Sequence, residues 1–348
     1  MSDREFKLAI VGFGGMGGWH RELIEGIEHL SVKGVYDIKP QRAECARELG
    51  LTVYASLEEV LADPEIDLIL CATPNDTHKD IVIKALKAGK NVVCEKPATI
   101  HSRDFVEMMA AQSTSHLFVH QNRRWDEDYL TVKKIVDENL LGPVFTIESR
   151  VHGSRGIPGD WRGEKEHGGG MVLDWGVHIL DQALQMIDSK VKKVYATMTQ
   201  VTNELVDDGF TTHLYFENGL VYTLEVGTNN FISLPRWYVL GRDGTAVVYD
   251  WDLSGKMVRV KDWNKNDAVP VKTAAGLTKT MAPRTEDTIA TEPLPIVHSD
   301  IRDYYRNVMA TIDGREEQIV KNDEVLRVLR LMEAIFESID QGQVVEFE

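Results

Sequence analysis

The stretch from residue 168 to 181 reads GGGMVLDWGVHILD, and its only ionisable side chains are Asp174, His178 and Asp181. If residues 172–187 form an α-helix with 3.6 residues per turn, these three side chains lie on one narrow stripe. The rest of the helix is largely apolar, which predicts a thin polar seam on a buried helix. Buried polar groups need partners, so the seam either pairs internally or lines a cleft.

The four-residue spacing of Asp174 and His178 predicts a contact between the carboxylate and the imidazole. Such a carboxylate would orient the ring and raise its pKa, which suits the histidine to accept a proton from an alcohol. Oxidation of an alcohol by a nicotinamide cofactor needs such a base, because hydride and proton leave together. The alternative is that Asp174 and His178 hydrogen-bond to each other and have only a structural role. A zinc site is less favoured and no metal is predicted, because no third or fourth ligand is evident nearby.

A glycine-rich turn follows the first apolar run of the chain. FKLAIV, residues 6–11, is predicted to be a strand, and GFGGMG, residues 12–17, matches the G-x-G-x-x-G pattern of dinucleotide-binding proteins. In that pattern the glycines allow a tight turn and close packing, and the diphosphate rests on the N-terminus of the next helix. The alternative is a glycine-rich turn in a fold that binds nothing. We expect cofactor contacts from Gly12, Gly14, Gly15, Met16 and Gly17.

Asp37 ends the second predicted strand, twenty residues after Gly17. An acidic residue at this place hydrogen-bonds the ribose 2′-hydroxyl and repels a 2′-phosphate, which favours NAD over NADP. Lys39 and Arg42 lie close by, so NADP remains possible.

Lys96 lies in the sequence CEKP at the end of the run NVVCEK, residues 91–96. Ligands of open α/β sheets bind outside the carboxyl ends of the strands, so Lys96 is expected at the edge of the cleft. There it could donate to a substrate hydroxyl or share its proton. The alternative is a solvated lysine at a strand end, which is common.

The elements that must position these residues change in kind along the chain. Up to residue 123, short apolar runs alternate with helical patterns, which predicts a doubly wound parallel sheet covered on both faces. We therefore predict a Rossmann dinucleotide-binding domain at 1–123. The predicted strands are 6–11, 33–37, 67–72, 91–96 and 116–120, and the predicted helices between them are 17–28, 40–49, 78–89 and 101–112.

Residues 124–348 are predicted to form an α+β substrate-binding and oligomerisation domain with a mostly antiparallel sheet. Hairpins are expected about Asn218-Gly219, a pair favoured in type I′ turns, and about Asp243-Gly244. Residues 264–295 have little pattern and are interpreted as an excursion or lid. Further helices are predicted at 126–139, 298–311 and 322–340.

Charge and cysteine usage limit the classes of partner. The formal net charge of the 348 residues is −16, which repels phosphate, so neither nucleic acid nor an anionic membrane is expected as a partner. The three cysteines form no metal or redox motif and fit reduced thiols. The first residues lack a secretory signal pattern, so we expect a cytoplasmic protein.

Five segments together resemble the glucose–fructose oxidoreductase/inositol dehydrogenase/rhizopine-catabolism (Gfo/Idh/MocA) family. They are GFGGMG, ATPNDTH (72–78), AGKNVVCEKP (88–97), QNRRW (121–125) and the segment 168–181, in the family's order and spacing. The resemblance implies a Rossmann domain, an α/β domain with an open-faced sheet, and homodimers or homotetramers packed through that sheet. It implies catalytic roles for Lys96, Asp174 and His178. It also implies cofactor contacts at Thr73, Pro74, Asn75, His78, Glu95 and Gln121.

The resemblance implies polyhydroxylated substrates such as sugars, inositols, sugar phosphates or nucleotide sugars. The leading hypothesis is an NAD(P)-dependent oxidoreductase that oxidises a hydroxyl of a sugar, sugar derivative or cyclic polyol. The alternatives are a redox-neutral, NAD-assisted glycosidase or lyase, and a sensor that binds NAD and sugar without turnover. Arginines cluster at 123–124 and 155–162, so an anionic sugar is kept as an alternative substrate. Candidate substrate contacts are Arg123, Arg124, Trp161, Arg162 and Asp181.

Overall fold

The computed structural model describes residues 4–263 and 269–348. Its first part is a six-stranded sheet in the order β3-β2-β1-β4-β5-β6, and every pair of neighbours is parallel. Helices connect the strands, so the predicted doubly wound fold is confirmed. The strands are β1 (Phe6–Val11), β2 (Leu30–Tyr36), β3 (Thr52–Val53), β4 (Leu68–Cys71), β5 (Asn91–Cys94) and β6 (Leu117–Val119). The helices are α1 (Gly15–Ile24), α2 (Pro40–Glu48), α3 (Leu57–Ala62), α4 (His78–Lys87) and α5 (Ser102–Ala110).

Two of these elements, β3 and α3, were absent from the sequence prediction. Both are short, and neither carries a long hydrophobic period. The start of α3 does have a local signal: the Ser56 hydroxyl accepts the N–H of Glu59, and the Glu59 carboxylate accepts the N–H of Ala55. This is the S-x-x-E arrangement that begins many helices.

The second part is a nine-stranded sheet in the order β16-β13-β12-β11-β7-β10-β9-β8-β17. Only the central pair β7–β10 is parallel, so the predicted mostly antiparallel sheet is confirmed. Its strands are β7 (Val144–His152), β8 (Val191–Thr199), β9 (Gly209–Phe216), β10 (Val221–Gly227), β11 (Trp237–Gly241), β12 (Gly244–Val248), β13 (Gly255–Val260), β16 (Ile289–Glu292) and β17 (Val345–Glu346). A separate pair is β14 (Val271–Thr273) with β15 (Gly276–Thr278), and the helices are α6 (Glu127–Asp137), α7 (Val177–Met186), α8 (Arg302–Ile312) and α9 (Asn322–Gln341).

Burial alternates along β9 and β10, as a sheet covered on one face requires. Buried residues of both sheets belong to one continuous apolar cluster. None of the helices in the described ranges is long and apolar enough to cross a membrane.

The hairpin between β9 and β10 is as predicted, but its turn type is not. The Gly219 N–H donates to the Phe216 carbonyl at 3.0 Å, and the Phe216 N–H donates to the Leu220 carbonyl at 2.9 Å. Within this loop only Gly219 has a positive φ, at 87°. A type I′ turn needs two such residues, so the predicted type is wrong and the loop is a three-residue connection with glycine in the left-handed position.

The segment 264–295 leaves and rejoins the second sheet at one end. Val260, the last residue of β13, pairs with Ile289, the first of β16. That end also holds the β11–β12 turn, because Gly244 pairs with Arg259. Along the same sheet, His152 and Gly227 lie at the opposite end. The segment therefore leaves the sheet and rejoins it at the far end, and its residues 289–292 are strand β16 of the sheet itself. Residues 264–268 lie outside the described ranges.

Candidate active site

The glycine turn has the shape that a dinucleotide diphosphate requires. Gly12 has φ of 93°, and a Cβ there would lie 2.6 Å from the carbonyl oxygen of Ala72. A Cβ on Gly17 would lie 2.3 Å from the Gly12 oxygen, so both positions exclude a side chain. A Cβ on Gly14 or Gly15 would meet nothing within 4 Å. Helix α1 begins at Gly15 without a side-chain cap, so its N-terminus can accept an anion.

Asp37 braces this turn. Its Oδ2 accepts the N–H of Phe13 at 2.7 Å, and its Oδ1 accepts the N–H of Lys39 at 2.8 Å. A carboxylate has about four acceptor sites, so capacity remains for a ribose hydroxyl. The geometry fits the proposed cofactor contact and adds a structural role to it.

The loop after β4 is held by its own side chains. The hydroxyl of Thr73 accepts a hydrogen bond from the hydroxyl of Thr77 at 2.7 Å. The side-chain amide of Asn75 donates to the carbonyl oxygen of Gly168 at 3.1 Å. The buried imidazole of His78 lies 2.9 Å from the Thr73 carbonyl oxygen and 3.1 Å from that of Pro97. Since both ring nitrogens face backbone, we assign His78 to positioning these loops and not to contacting cofactor. Pro74 directly precedes the 3-10 turn Asn75–Thr77.

Glu95 lies in a buried hydrogen-bond network. Its Oε1 is 2.7 Å from His20 Nε2 and 2.9 Å from His120 Nδ1, and its Oε2 accepts the N–H of Lys96 at 3.0 Å. The Tyr305 hydroxyl lies 2.7 Å from the other nitrogen of His20. Burial raises the pKa of Glu95, but the two histidines outweigh it and hold that pKa well below its usual value.

This network gives Glu95 a structural role besides the expected cofactor contact, because three of its roughly four acceptor sites are used within the protein. The histidines and Glu95 are also ligand types that bind metals and converge within 4.8 Å. Each imidazole directs a nitrogen at Glu95 Oε1, and these hydrogen bonds use the three atoms that would otherwise face a metal. The geometry therefore gives no reason to place a metal there.

Lys96 and Asp174 are in direct contact. Lys96 Nζ lies 3.0 Å from Asp174 Oδ1 and 2.9 Å from the Asp174 carbonyl oxygen. Arg162 Nε lies 3.4 Å from the second carboxylate oxygen. Burial raises the pKa of Asp174, but the charges of Lys96 and Arg162 outweigh it and hold the pKa below its usual value. Asp174 is therefore a partly buried carboxylate between two cations.

The helix predicted at 172–187 is not a single α-helix. Residues Val172–Gly176 form a π-helical turn, and α7 follows from Val177. The buried Asp207 fixes the start of the turn, since its Oδ2 accepts the N–H of Val172 at 2.7 Å and its carbonyl accepts that of Met171 at 3.0 Å. A π turn rotates the side chains before it relative to those after it, so the α-helical stripe does not hold.

The predicted contact between Asp174 and His178 is absent. The Asp174 carboxylate faces Lys96 and Arg162, and Nδ1 of the buried His178 has no hydrogen-bond partner among the described residues. The expected upward pKa shift is also wrong: burial, followed by the charges of Lys96 and Arg123, lowers the pKa of His178 well below its usual value. The ring is therefore neutral at physiological pH.

Gln121 supplies a second unpaired polar group. It is 1% exposed, and neither its amide oxygen nor its nitrogen has a partner in the described ranges. It follows β6, whose neighbour β5 leads directly to Glu95 and Lys96. Buried amides are normally bonded, so this one favours a ligand at the same edge of the sheet.

Two predicted substrate contacts instead hold the protein together. Arg124 Nη2 and Nε bind the carboxylate of Asp181 at 2.6 and 2.7 Å, and Nη1 binds Glu324 at 2.7 Å. Arg124 and Asp181 are nearly inaccessible, with side chains 8% and 2% exposed. Their polar groups are used within the protein, so the contacts do not support a substrate role for either residue.

The other predicted substrate residues adjoin Asp174 or His178. Arg162 touches Asp174 and stacks 4.7 Å from the Trp161 ring. Arg123 stacks 4.1 Å from the ring of Trp175, whose ring in turn lies 5.8 Å from that of His178. Trp175 and Trp251 were missed from the sequence. Trp175 lies beside Asp174 within the segment 168–181, whereas Trp251 has no local signal.

Comparison with known proteins places this geometry in a family. Two family models match: "Oxidoreductase family, NAD-binding Rossmann fold" over residues 6–122 and "GFO/IDH/MocA C-terminal domain" over residues 129–247. The uncharacterized oxidoreductase YdgJ of Escherichia coli is 30% identical, with 97% of each chain covered. The scyllo-inositol 2-dehydrogenase (NADP(+)) IolW of Bacillus subtilis is 27% identical, with 98% of this chain and 96% of that protein covered.

A crystal structure of an NAD-binding protein from Listeria innocua superposes with a TM-score of 0.96 at 48% identity, with 99% of each chain covered. The chain therefore belongs to the Gfo/Idh/MocA family, and it is an NAD(P)-dependent oxidoreductase.

Proposed function

We propose that the protein oxidises a hydroxyl group of a sugar, sugar derivative or cyclic polyol, with transfer of hydride to NAD(P). The observation that carries the proposal is the Lys96–Asp174 ion pair, which lies beside a neutral His178 whose Nδ1 has no hydrogen-bond partner within residues 4–263 and 269–348. Inositol dehydrogenases of Bacillus subtilis among the relatives use NADP(+) in one case and NAD(+) in another, which supports a polyol substrate and leaves the choice of cofactor open.

The cofactor, when bound, supplies the hydride acceptor. We propose that the glycine turn at 12–17 holds its diphosphate and that Asp37 holds its ribose. Thr73, Pro74 and Gln121 lie after strands β4 and β6, at the carboxyl edge where a nicotinamide would rest. The unpaired amide of Gln121 is the residue-level observation that supports this placement.

Lys96 is proposed to bind the reacting hydroxyl. An ammonium has three N–H donors, and two of these point at Asp174. The third is available for the oxygen of a substrate, where it would stabilise negative charge as the proton leaves. Asp174 holds the ammonium in place and offsets its charge.

His178 is proposed to accept the hydroxyl proton. Its lowered pKa keeps the imidazole neutral, which is the form that a general base requires. A substrate hydroxyl would also supply a hydrogen-bond partner for this ring, whose buried Nδ1 has none among the described residues.

The open face of the second sheet is the surface through which we propose that the chain forms homodimers or homotetramers. Alternate residues of β10 on this face are partly exposed, as are their counterparts in β9. Light scattering on the purified protein tests this assembly.

The function is tested with a panel of inositols, aldoses and sugar phosphates, each offered with NAD and with NADP, while the absorbance of reduced nicotinamide is followed. Asp174→Asn, which keeps the size of the side chain, is assayed beside the parent. The proposal expects reduction with at least one compound and a large loss in the variant. Release of a cleaved product without net reduction would point to the redox-neutral lyase, and binding without any reaction would point to a sensor.

A further inference from the structure

A cavity of about 330 Å³ adjoins the catalytic residues without being lined by them. Its wall includes Trp175, Trp251, Arg123, His152 and Thr228, and it lies at the end of the second sheet where β7 and β10 finish. We refer to it as the tryptophan pocket. None of Lys96, Asp174 and His178 belongs to its wall, so it is a separate space beside the reaction site.

The tryptophan pocket is joined to the reaction site through Trp175. This residue directly follows Asp174, and its ring meets that of His178 edge to face at 5.8 Å between centroids. Arg123 stacks on the same indole at 4.1 Å. Trp175 is therefore the side chain that the reaction site and the pocket share.

The aromatic surface of the pocket is held in place but accessible. Trp251 is 45% exposed, and its ring lies 6.0 Å from that of Trp175 at an angle of 48°. The guanidinium of Arg236 stacks 4.6 Å from the Trp251 ring. Two indoles with the polar side chains of Arg123, His152 and Thr228 beside them form a wall that suits the apolar C–H face of a ring and the hydroxyls at its rim.

The charges near the pocket argue for an uncharged ligand. Arg123 is paired with Asp126 at 2.9 Å, and Arg236 with Asp128 at 3.1 Å. Arg162, on the other side of the reaction site, lies between Asp160 and Asp174. Since each of these cations already has a carboxylate, the site offers little net positive charge to a phosphate or a carboxylate.

We propose that the tryptophan pocket is a subsite for a second, uncharged sugar ring, so that the substrate class is a glycoside or disaccharide and not a lone cyclic polyol. This inference rests on the proposed function, because Lys96, Asp174 and His178 define where the oxidised ring lies. Trp175 and Trp251 then become residues that determine specificity.

The test is calorimetric titration of the NADH-loaded protein with cellobiose, maltose and lactose, and with glucose and galactose as single rings. We expect at least one disaccharide to bind at least about tenfold more tightly than its constituent sugars. Trp251→Ala should remove most of that advantage. Trp263→Ala is the matched control, because Trp263 is 55% exposed and bonds to Asp243 at the far end of the sheet.

Two results would overturn the subsite: disaccharides that bind no more tightly than single sugars, or a Trp251→Ala variant that weakens both classes by the same factor. The second result would mean that the pocket holds the oxidised ring itself. Thermal unfolding of Trp251→Ala and Trp251→Phe separates lost binding from lost folding. Binding is measured without turnover, so a failure of the dehydrogenase proposal would show in the reduction assay and leave this readout intact.

Discussion

Lys96 donates to both the carboxylate and the carbonyl oxygen of Asp174, at 3.0 and 2.9 Å, although 78 residues separate them in the chain. The contact joins the end of a strand in the first sheet to a π turn that precedes α7. It directs Asp174 toward the lysine and leaves His178 without a carboxylate. The lysine, and not the histidine, is therefore the group that Asp174 orients.

The charge of Asp37 is predicted to set the preference for NAD over NADP. Asp37→Ser removes the carboxylate while its hydroxyl can still accept one of the two backbone N–H groups held by Asp37. We expect the ratio of NADP to NAD affinity to rise at least about tenfold, since repulsion of the 2′-phosphate is lost. Fluorescence titration with NADH and NADPH measures it, with Asp76→Ser as a control. An unchanged ratio would show that Asp37 only braces the turn.

The acid limb of the pH profile is predicted to lie below pH 6.5. Burial and the charges of Lys96 and Arg123 lower the pKa of His178, so the active neutral ring persists until the pH falls through that lowered value. The dependence of kcat/KM on pH reports groups of the free enzyme. His178→Asn should reduce kcat/KM by about 10²–10⁴ and remove the limb. A limb at or above pH 6.5 in the parent would contradict the assignment.

Arg124 and Asp181 are predicted to stabilise the fold and not to bind substrate. Arg124→Ala leaves a buried carboxylate unpaired, which costs about 3–5 kcal/mol in the free energy of unfolding. Lys133→Ala, which breaks an exposed pair with Asp137, should cost less than about 1 kcal/mol. Urea unfolding measures both variants, with Asp181→Asn as a milder probe. A raised KM with unchanged stability would return Asp181 to the substrate site.

Asp207 is predicted to make stability fall as the pH rises toward neutrality. Burial raises its pKa from 3.8 to about 7, against the hydrogen bond that it accepts from Val172. Between those values the folded chain holds a proton that the unfolded chain has lost, so unfolding becomes easier by up to about 1.4 kcal/mol per pH unit.

Asp207→Asn keeps an acceptor and cannot ionise. Its free energy of unfolding relative to the parent should rise by roughly 1–3 kcal/mol between about pH 5 and about pH 7. Urea titrations at both pH values, with the half-exposed Asp137→Asn as control, measure this change. A difference that stays constant with pH would mean that Asp207 is ionised throughout.

Local patterns in the sequence predicted the elements that carry the site. The strand–glycine turn–helix unit at residues 6–24 was recognisable because the tight approach of Gly12 and Gly17 is a property of neighbouring residues. Helical spacing singled out Asp174 and His178, the end of a predicted strand singled out Lys96, and the resemblance to the family implied catalytic roles for all three. The contact between Lys96 and Asp174 could not be predicted from their spacing in the sequence, because it depends on how the two sheets pack against each other.

The differences between the structure and the sequence predictions come from helix geometry and from long-range pairing. The pairing of Asp174 with His178 assumed regular α-helical geometry, and the π turn at Val172–Gly176 removes it. Arg124 and Asp181 looked like free polar groups because they are 57 residues apart, yet they satisfy each other. A charged residue in a sequence does not show which long-range partner it meets.

The most direct test of the catalytic assignment is the rate of hydride transfer in a single turnover of Lys96→Ala, with a substrate found in the panel. Lys193→Ala, an exposed lysine paired with Glu346, is the control. The assignment predicts a rate about 10²–10³-fold below the parent, because the donor that stabilises the reacting oxygen is lost, with NADH affinity within about threefold. A rate within about tenfold of the parent, with NADH still bound normally, would contradict it.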